Sequence, residues 1–89
     1  MTADPRLARI RWRCRRGTRE LDILLARFLD RGFAELDDAG IALFERLLDA
    51  QDPVLHGWLT GITSPGDPAL DAFVRTLRAA VAHAPGGKL

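Results

Sequence analysis

Apolar residues recur at intervals of three and four along almost the whole chain, and this periodicity constrains the fold most strongly. The clearest example is the run formed by Leu70, Phe73, Val74, Leu77 and Val81. Such spacing places apolar side chains on one face of a helix, whereas no useful length alternates with the period of two typical of strands. For a chain of 89 residues, the pattern predicts an all-α, single-domain bundle of about five short helices.

Start and stop signals delimit the first two helices. Asp4 and Pro5 suit the N-cap and first helical position, and the first helix is predicted to run to Cys14. Thr18 is predicted to cap the second helix through its hydroxyl. That helix extends to Arg31, and the following Gly32 is predicted to be a left-handed stop.

Three Asp residues mark the predicted starts of the remaining helices. Asp37 is expected near the start of the third helix, and the pairs Asp52-Pro53 and Asp67-Pro68 each predict an N-cap followed by the first helical position. Gly61 is expected to end the fourth helix. We therefore predict one helical domain over residues 1–84 and a flexible tail over residues 85–89, where Pro and Gly are concentrated.

Charge is divided unevenly along the chain. Seven of the 13 basic residues lie between Arg6 and Arg19, so residues 1–20 carry a net charge of +5 and residues 21–89 a net charge of −4. A basic end on an acidic body predicts an anionic partner surface or a cofactor phosphate, and a merely solvated arm is the alternative.

Helical spacing divides the basic arm into faces. Arg6, Arg9, Arg13 and Arg16 follow a 3-4-3 spacing beside the apolar stripe, while Trp12 projects away from that stripe. Trp12 either fills a groove between helices or is offered to a partner. Burial is the favoured expectation, because Trp is highly buried on average.

The sequence gives little support to catalysis or metal binding. Its single Cys and two His residues, Cys14, His56 and His83, are too few and too widely spaced for a zinc site, which needs about four ligands. Cys14 ends an apolar stripe and is expected to be a small core residue rather than a nucleophile. A lone Cys excludes an internal disulfide and favours an intracellular protein, and no apolar run is long enough to span a membrane.

The most polar stretch, Arg15–Asp22, resembles the signature of a known family. The segment Arg9–Asp22 reads RIRWRCRRGTRELD, and the family pattern Arg-Gly-x-x-Glu is matched by Arg16, Gly17 and Glu20. This segment looks like that of the succinate dehydrogenase assembly (flavinylation) factors, of the bacterial SdhE type. The resemblance continues through Leu47-Leu48, Asp52-Pro53 and Trp58-Leu59 into the last predicted helix.

The resemblance implies a function that residue chemistry alone does not give. It implies a non-catalytic assembly factor that binds the flavoprotein subunit of succinate dehydrogenase, and in some bacteria of fumarate reductase, and promotes covalent attachment of FAD to a His of that subunit. No cofactor would be bound stably, and a cytoplasmic monomer that binds neither nucleic acid nor membrane is expected. The implied partner-binding residues are Arg9, Arg16, Gly17, Glu20 and Asp22.

Several alternatives stay open at this point. Arg16 and Glu20 could contact a partner, or they could pair with each other and brace the junction of the first two helices. The arginine-rich arm could also serve a nucleic-acid-binding module, or the antitoxin-like role sometimes given to this family. Gly40 and His56 depart from the family pattern, His56 standing where a larger apolar residue would be usual.

Overall fold

The computed structural model describes residues 5–82, and these form five helices joined by short connections. The helices are α1 (Pro5–Arg13), α2 (Arg19–Arg31), α3 (Asp38–Leu48), α4 (Asp52–Thr60) and α5 (Pro68–Ala82), with a single 3₁₀ turn at Phe33–Glu35. No strand occurs within residues 5–82, so the predicted all-α class is confirmed. The predicted Asp4 cap and the predicted tail at 85–89 lie outside the described residues, and the division at residue 84 stays a prediction.

The core lies where the apolar faces of α2, α3 and α5 meet. Phe28, Phe44 and Phe73 form its centre: the Phe28 ring meets Phe44 edge-on at 5.2 Å and Phe73 edge-on at 5.7 Å. Such edge-to-face pairs are favourable beyond the area they bury. Helix α1 adds the buried Ile10, and α4 adds the buried Leu55. The short outer helices are therefore fixed by a few apolar anchors each.

Three of the predicted helix ends are confirmed. The Asp37 carboxylate accepts a hydrogen bond of 2.8 Å from the Gly40 N–H and caps α3. Asp67 accepts from the Ala69 N–H at the start of α5, while Arg46 of α3 donates to its other oxygen and lowers the pKa of that carboxyl. Gly61 ends α4 in the left-handed conformation, with φ of 84°.

Both ends of α2 lie where they were predicted, but the predicted cap and the predicted left-handed stop were wrong. Thr18 occupies the N-cap position, but its side chain makes no capping hydrogen bond, and its hydroxyl lies 3.5 Å from the Asp52 carboxylate instead. Gly32 follows the last helical residue with φ of −122°, which is not left-handed. Glycine is needed there for space, because a Cβ atom would lie 2.3 Å from the Phe28 ring.

The start of α4 is shifted by one residue from its prediction. Gln51 is the N-cap, so Asp52 and Pro53 are the first two helical residues. The Asp52 carboxylate accepts a hydrogen bond from the Arg16 side chain rather than capping its own helix. The Asp52 side chain is therefore bound by a distant part of the chain instead of by the amides of its own helix.

The described residues also bear on membrane insertion. Between residues 5 and 82, no helix is long and apolar enough to cross a membrane.

Candidate functional site

Arginines of α1 pair with acidic residues of α3 and of its C-cap. The three pairs are Arg6 with Asp38 (3.0 Å), Arg9 with Glu45 (2.8 Å) and Arg13 with Asp49 (2.5 Å). The arginines are spaced 3 and 4 residues apart and their partners 7 and 4 residues apart, so each set follows one side of its helix where α1 faces α3. These arginines thus pair with acidic residues of the same chain. We call the three pairs, together with the pair Arg16–Asp52, the ion-pair ladder.

Arg16 ends the ladder and is its most enclosed member. Its Nε donates to Asp52 Oδ1 at 2.8 Å, and its Nη1 and Nη2 donate to the carbonyls of Leu48 (2.9 Å) and Ala50 (2.5 Å). Only 13% of its side chain is exposed. The last carbonyls of a helix have no partner within the helix, so the Arg16 fork satisfies the end of α3 while pairing with the start of α4.

Gly17 forms the bend between α1 and α2. Its φ is 84°, which glycine adopts readily and other L-residues adopt only with strain. The preceding Arg16 N–H donates to Asp22 Oδ1 at 2.7 Å, so the carboxylate of Asp22 closes the bend from α2. Apart from Gly17 and its two neighbours, no atom of residues 5–82 lies within 4 Å of where a Gly17 Cβ would be. The outer face of the bend is therefore open.

Glu20 has a different partner from Arg16. Its Oε1 lies 2.7 Å from Nε2 of His56 on α4, and 58% of the Glu20 side chain stays exposed. The direct Arg16–Glu20 pair considered as an internal brace is thus replaced by two contacts, Arg16 with Asp52 and Glu20 with His56. Helix α4 supplies both partners, one helical turn apart.

Trp12 is exposed on α1, so its expected burial was wrong. The ring is 70% exposed, and the Arg15 guanidinium packs over it at 5.6 Å. The ladder joins α1 to α3, and no element within residues 5–82 covers Trp12. A groove of about 600 Å³ runs beside it, between α1 and α2, and is lined by Ala8, Arg11, Trp12, Cys14, Arg15, Asp22, Ala26 and Leu29.

The arginines beside this groove differ from those of the ladder. Arg11 and Arg15 are exposed, and neither forms a salt bridge with any residue in the described range 5–82. An exposed Trp flanked by two such cations can offer apolar area and positive charge together. The arm therefore presents its available charge through Arg11 and Arg15 rather than through Arg9 and Arg13.

The site offers no obvious catalytic or metal chemistry in the part of the chain described. Burial raises the pKa of the Cys14 thiol to about 11, and the nearby Arg16 and Arg13 oppose this shift only in part. At neutral pH the thiol is protonated and poorly nucleophilic. Within residues 5–82, no three His, Cys, Asp or Glu side chains are grouped as a metal ion would require.

Comparison with known proteins identifies the family to which this arrangement belongs. Residues 8–81 match the model of a family described as "Flavinator of succinate dehydrogenase". The chain belongs to this family. The match covers residues 8–13 of α1 and nearly all of the helices that follow, so the bend, the groove and the ladder from Arg9 onward lie within the family's domain.

Relatives in the flavinator family are similar over most of their length. The FAD assembly factor SdhE of Methylococcus capsulatus is 47% identical over 76 residues, which cover 85% of this chain and 92% of the relative. That of Shewanella oneidensis is 43% identical over 72 residues, covering 81% and 88%, and that of Coxiella burnetii is 41% identical over 70 residues, covering 79% and 85%. Their names support neither the nucleic-acid-binding nor the antitoxin alternative.

The sequence analysis did not predict that α4 supplies the partners of the Arg-Gly-x-x-Glu motif. Asp52 was interpreted as a cap and His56 as a departure from the family pattern, yet they hold Arg16 and Glu20. A signal was present: Asp52 and His56 are four residues apart, as are Arg16 and Glu20. Equal spacing alone could not show that the two segments are neighbours in space.

Proposed function

We propose that this chain binds the flavoprotein subunit of succinate dehydrogenase and promotes covalent attachment of FAD to it. The observation that carries this proposal is the family match over residues 8–81, supported by relatives named FAD assembly factor SdhE. Those names describe an assembly role rather than a catalytic one. Accordingly, the reacting groups are those of the partner and its FAD.

The partner surface we propose centres on the open face of the Gly17 bend. Beyond its two neighbours, no atom of residues 5–82 lies within 4 Å of the position of a Gly17 Cβ, so a partner backbone could approach it closely. Glu20 beside it is largely exposed and can accept a hydrogen bond from the partner. Trp12, Arg11 and Arg15 extend this surface along the groove.

The other predicted site residues, Arg9, Arg16 and Asp22, make contacts within the chain that position this surface. Arg9 pairs with Glu45, Arg16 with Asp52, and the Asp22 carboxylate with the Arg16 N–H. We propose that these three residues hold the bend and α1 in position, while Gly17 and Glu20 meet the partner. A preformed surface of this kind loses less conformational entropy on binding.

The mechanism we propose is positional. By binding the flavoprotein subunit across the bend, the chain would favour the arrangement in which the FAD ring and its attachment residue lie in reacting geometry. Holding two reacting groups together can lower the barrier substantially, because the entropy of bringing them together is lost before the reaction. No nucleophile of this chain is needed for such an effect.

Flavin incorporation tests the proposal directly. The flavoprotein subunit would be produced with and without this chain in a host lacking its own assembly factor, and covalent flavin would be measured by in-gel fluorescence. We expect strong fluorescence only when the chain is present. Equal fluorescence in both samples would contradict the proposed function.

Reversing the charges beside Trp12 should slow association. In the Arg11→Glu/Arg15→Glu variant we expect the association rate at low ionic strength to fall by about ten-fold and to approach the wild-type rate at high salt, because steering between charged surfaces is screened. Stopped-flow measurement over a salt series checks this.

Arg27→Glu/Arg78→Glu is the matched control, since it makes the same change in net charge at exposed positions of a different cleft, between α2, α4 and α5. If the control slowed association equally, net charge alone would explain the effect and the groove would not be the docking face.

Finer parts of the proposal follow the resemblance alone. We propose that the fumarate reductase flavoprotein subunit is also a client, and that the chain acts in the cytoplasm as a monomer without stably bound FAD. The same fluorescence assay with that subunit, and light scattering of the purified chain with and without FAD, test these parts separately.

A further inference from the structure

We infer that His56 is a positioning residue, which orients Glu20 for the partner and thereby sets part of the affinity; this inference rests on the proposed function. It goes beyond the Arg-Gly-x-x-Glu motif, which does not include α4. The inference depends on one contact, the 2.7 Å approach of His56 Nε2 to Glu20 Oε1.

The contact leaves Glu20 free to act. Oε1 is bound to His56, whereas Oε2 makes no hydrogen bond or ion pair with any other residue of the described chain. The side chain is 58% exposed, so Oε2 can still meet a donor on a partner. His56 therefore fixes the direction of the carboxylate without covering it.

Helix α4 is held firmly enough for His56 to play this part. One turn before His56, Asp52 accepts the Nε–H of Arg16. On the inner side of the helix, Leu55 is fully buried and Leu59 is 6% exposed. Two side chains of α4 thus hold the bend in place. Asp52 binds Arg16 on the α1 side, and His56 binds Glu20 on the α2 side.

Orientation matters because a Glu side chain has many accessible rotamers. Ordering such a side chain at an interface opposes binding. If His56 has already ordered Glu20 in the free protein, that loss no longer reduces the affinity. We expect removal of His56 to weaken binding by about three- to ten-fold.

The test is a double-mutant cycle on the full chain, with the flavoprotein subunit of succinate dehydrogenase as ligand and calorimetry as the measurement. We expect His56→Ala to weaken binding by about three- to ten-fold in the wild-type background and to have no effect in the Glu20→Ala background. His56→Gln should keep most of the affinity, since its amide N–H can also donate to Glu20. A structural role of His56 would not give this dependence on Glu20.

Two controls accompany the cycle. Thermal unfolding followed by circular dichroism shows whether each variant is folded at the temperature of the binding experiment. Gln51→Ala is the matched control at the N-cap of the same helix, because Gln51 is exposed and its side chain makes no capping bond. We expect it to bind like the wild type.

The possible outcomes separate the inference from the proposed function. If the wild-type chain does not bind the subunit, the proposed function is overturned together with the inference that depends on it. If Glu20→Ala weakens binding but His56→Ala does not, or if the two effects simply add, only the role of His56 is overturned. A loss of affinity in His56→Ala that disappears in the Glu20→Ala background, with His56→Gln close to the wild type, supports it.

Discussion

Gly17→Arg is expected to leave the domain folded and to abolish nearly all of its support for flavin attachment. A Cβ at Gly17 would have no atom of residues 5–82 within 4 Å beyond the adjacent residues, so the new side chain starts in open space outside the core. The only structural cost is the backbone strain of a non-glycine residue at φ of 84°, about 1 kcal/mol. A long cationic side chain on the open face of the bend would nevertheless prevent close approach of the partner.

The measurements are in-gel flavin fluorescence for function and thermal unfolding for the fold. Gly66→Arg is the matched control: Gly66 also has nothing within 4 Å of its missing Cβ, but it lies in the connection between α4 and α5. We expect that control to support flavin attachment normally. Gly17→Ala separates the two effects, because it introduces the strain without the bulk.

Two results would count against the interface assigned to Gly17. One is a folded Gly17→Arg variant that supports full flavin incorporation. The other is outright unfolding of Gly17→Arg, which would show that the bend is needed for the fold before it is needed for any partner.

Arg16→Ala, unlike Gly17→Arg, is expected to lose function because the fold is destabilised. Removing the guanidinium leaves the carbonyls of Leu48 and Ala50 and the carboxylate of Asp52 without their donor. Groups that stay enclosed without a partner cost about 1–3 kcal/mol each, although Asp52 is partly exposed and water will compensate some of this loss. We expect the free energy of unfolding to fall by about 2–3 kcal/mol and the melting temperature by about 10–20 °C.

Chemical and thermal unfolding of Arg16→Ala, Arg16→Lys and Arg15→Ala check this prediction. Lys should recover only a small part of the stability, because one ammonium group cannot span a carboxylate and two carbonyls as the guanidinium fork does. Arg15 is exposed and makes no comparable set of bonds, so Arg15→Ala should stay within about 0.5 kcal/mol of the wild type. A wild-type melting temperature for Arg16→Ala would contradict the bracing role.

Much of the architecture follows from local sequence. Helical periodicity placed one set of apolar residues on an inward face, and all of them are buried: Leu70, Phe73, Val74, Leu77 and Val81. Asp37 and Asp67 cap the helices that their positions predicted. Such signals can be detected from sequence because a cap and its amide lie within three residues of each other, so no information about the rest of the fold is needed.

What the sequence determined by itself was the set of helices, the apolar faces and, through the Arg-Gly-x-x-Glu resemblance, the family. Only the tertiary structure decided which partner each polar residue of the motif has. Arg16 binds Asp52, Glu20 binds His56 and Trp12 is left exposed, because α1 lies along α3 and the α1–α2 bend meets α4. Those contacts join residues 36 apart in the chain, and spacing within one helix carries no information about which helix will be its neighbour.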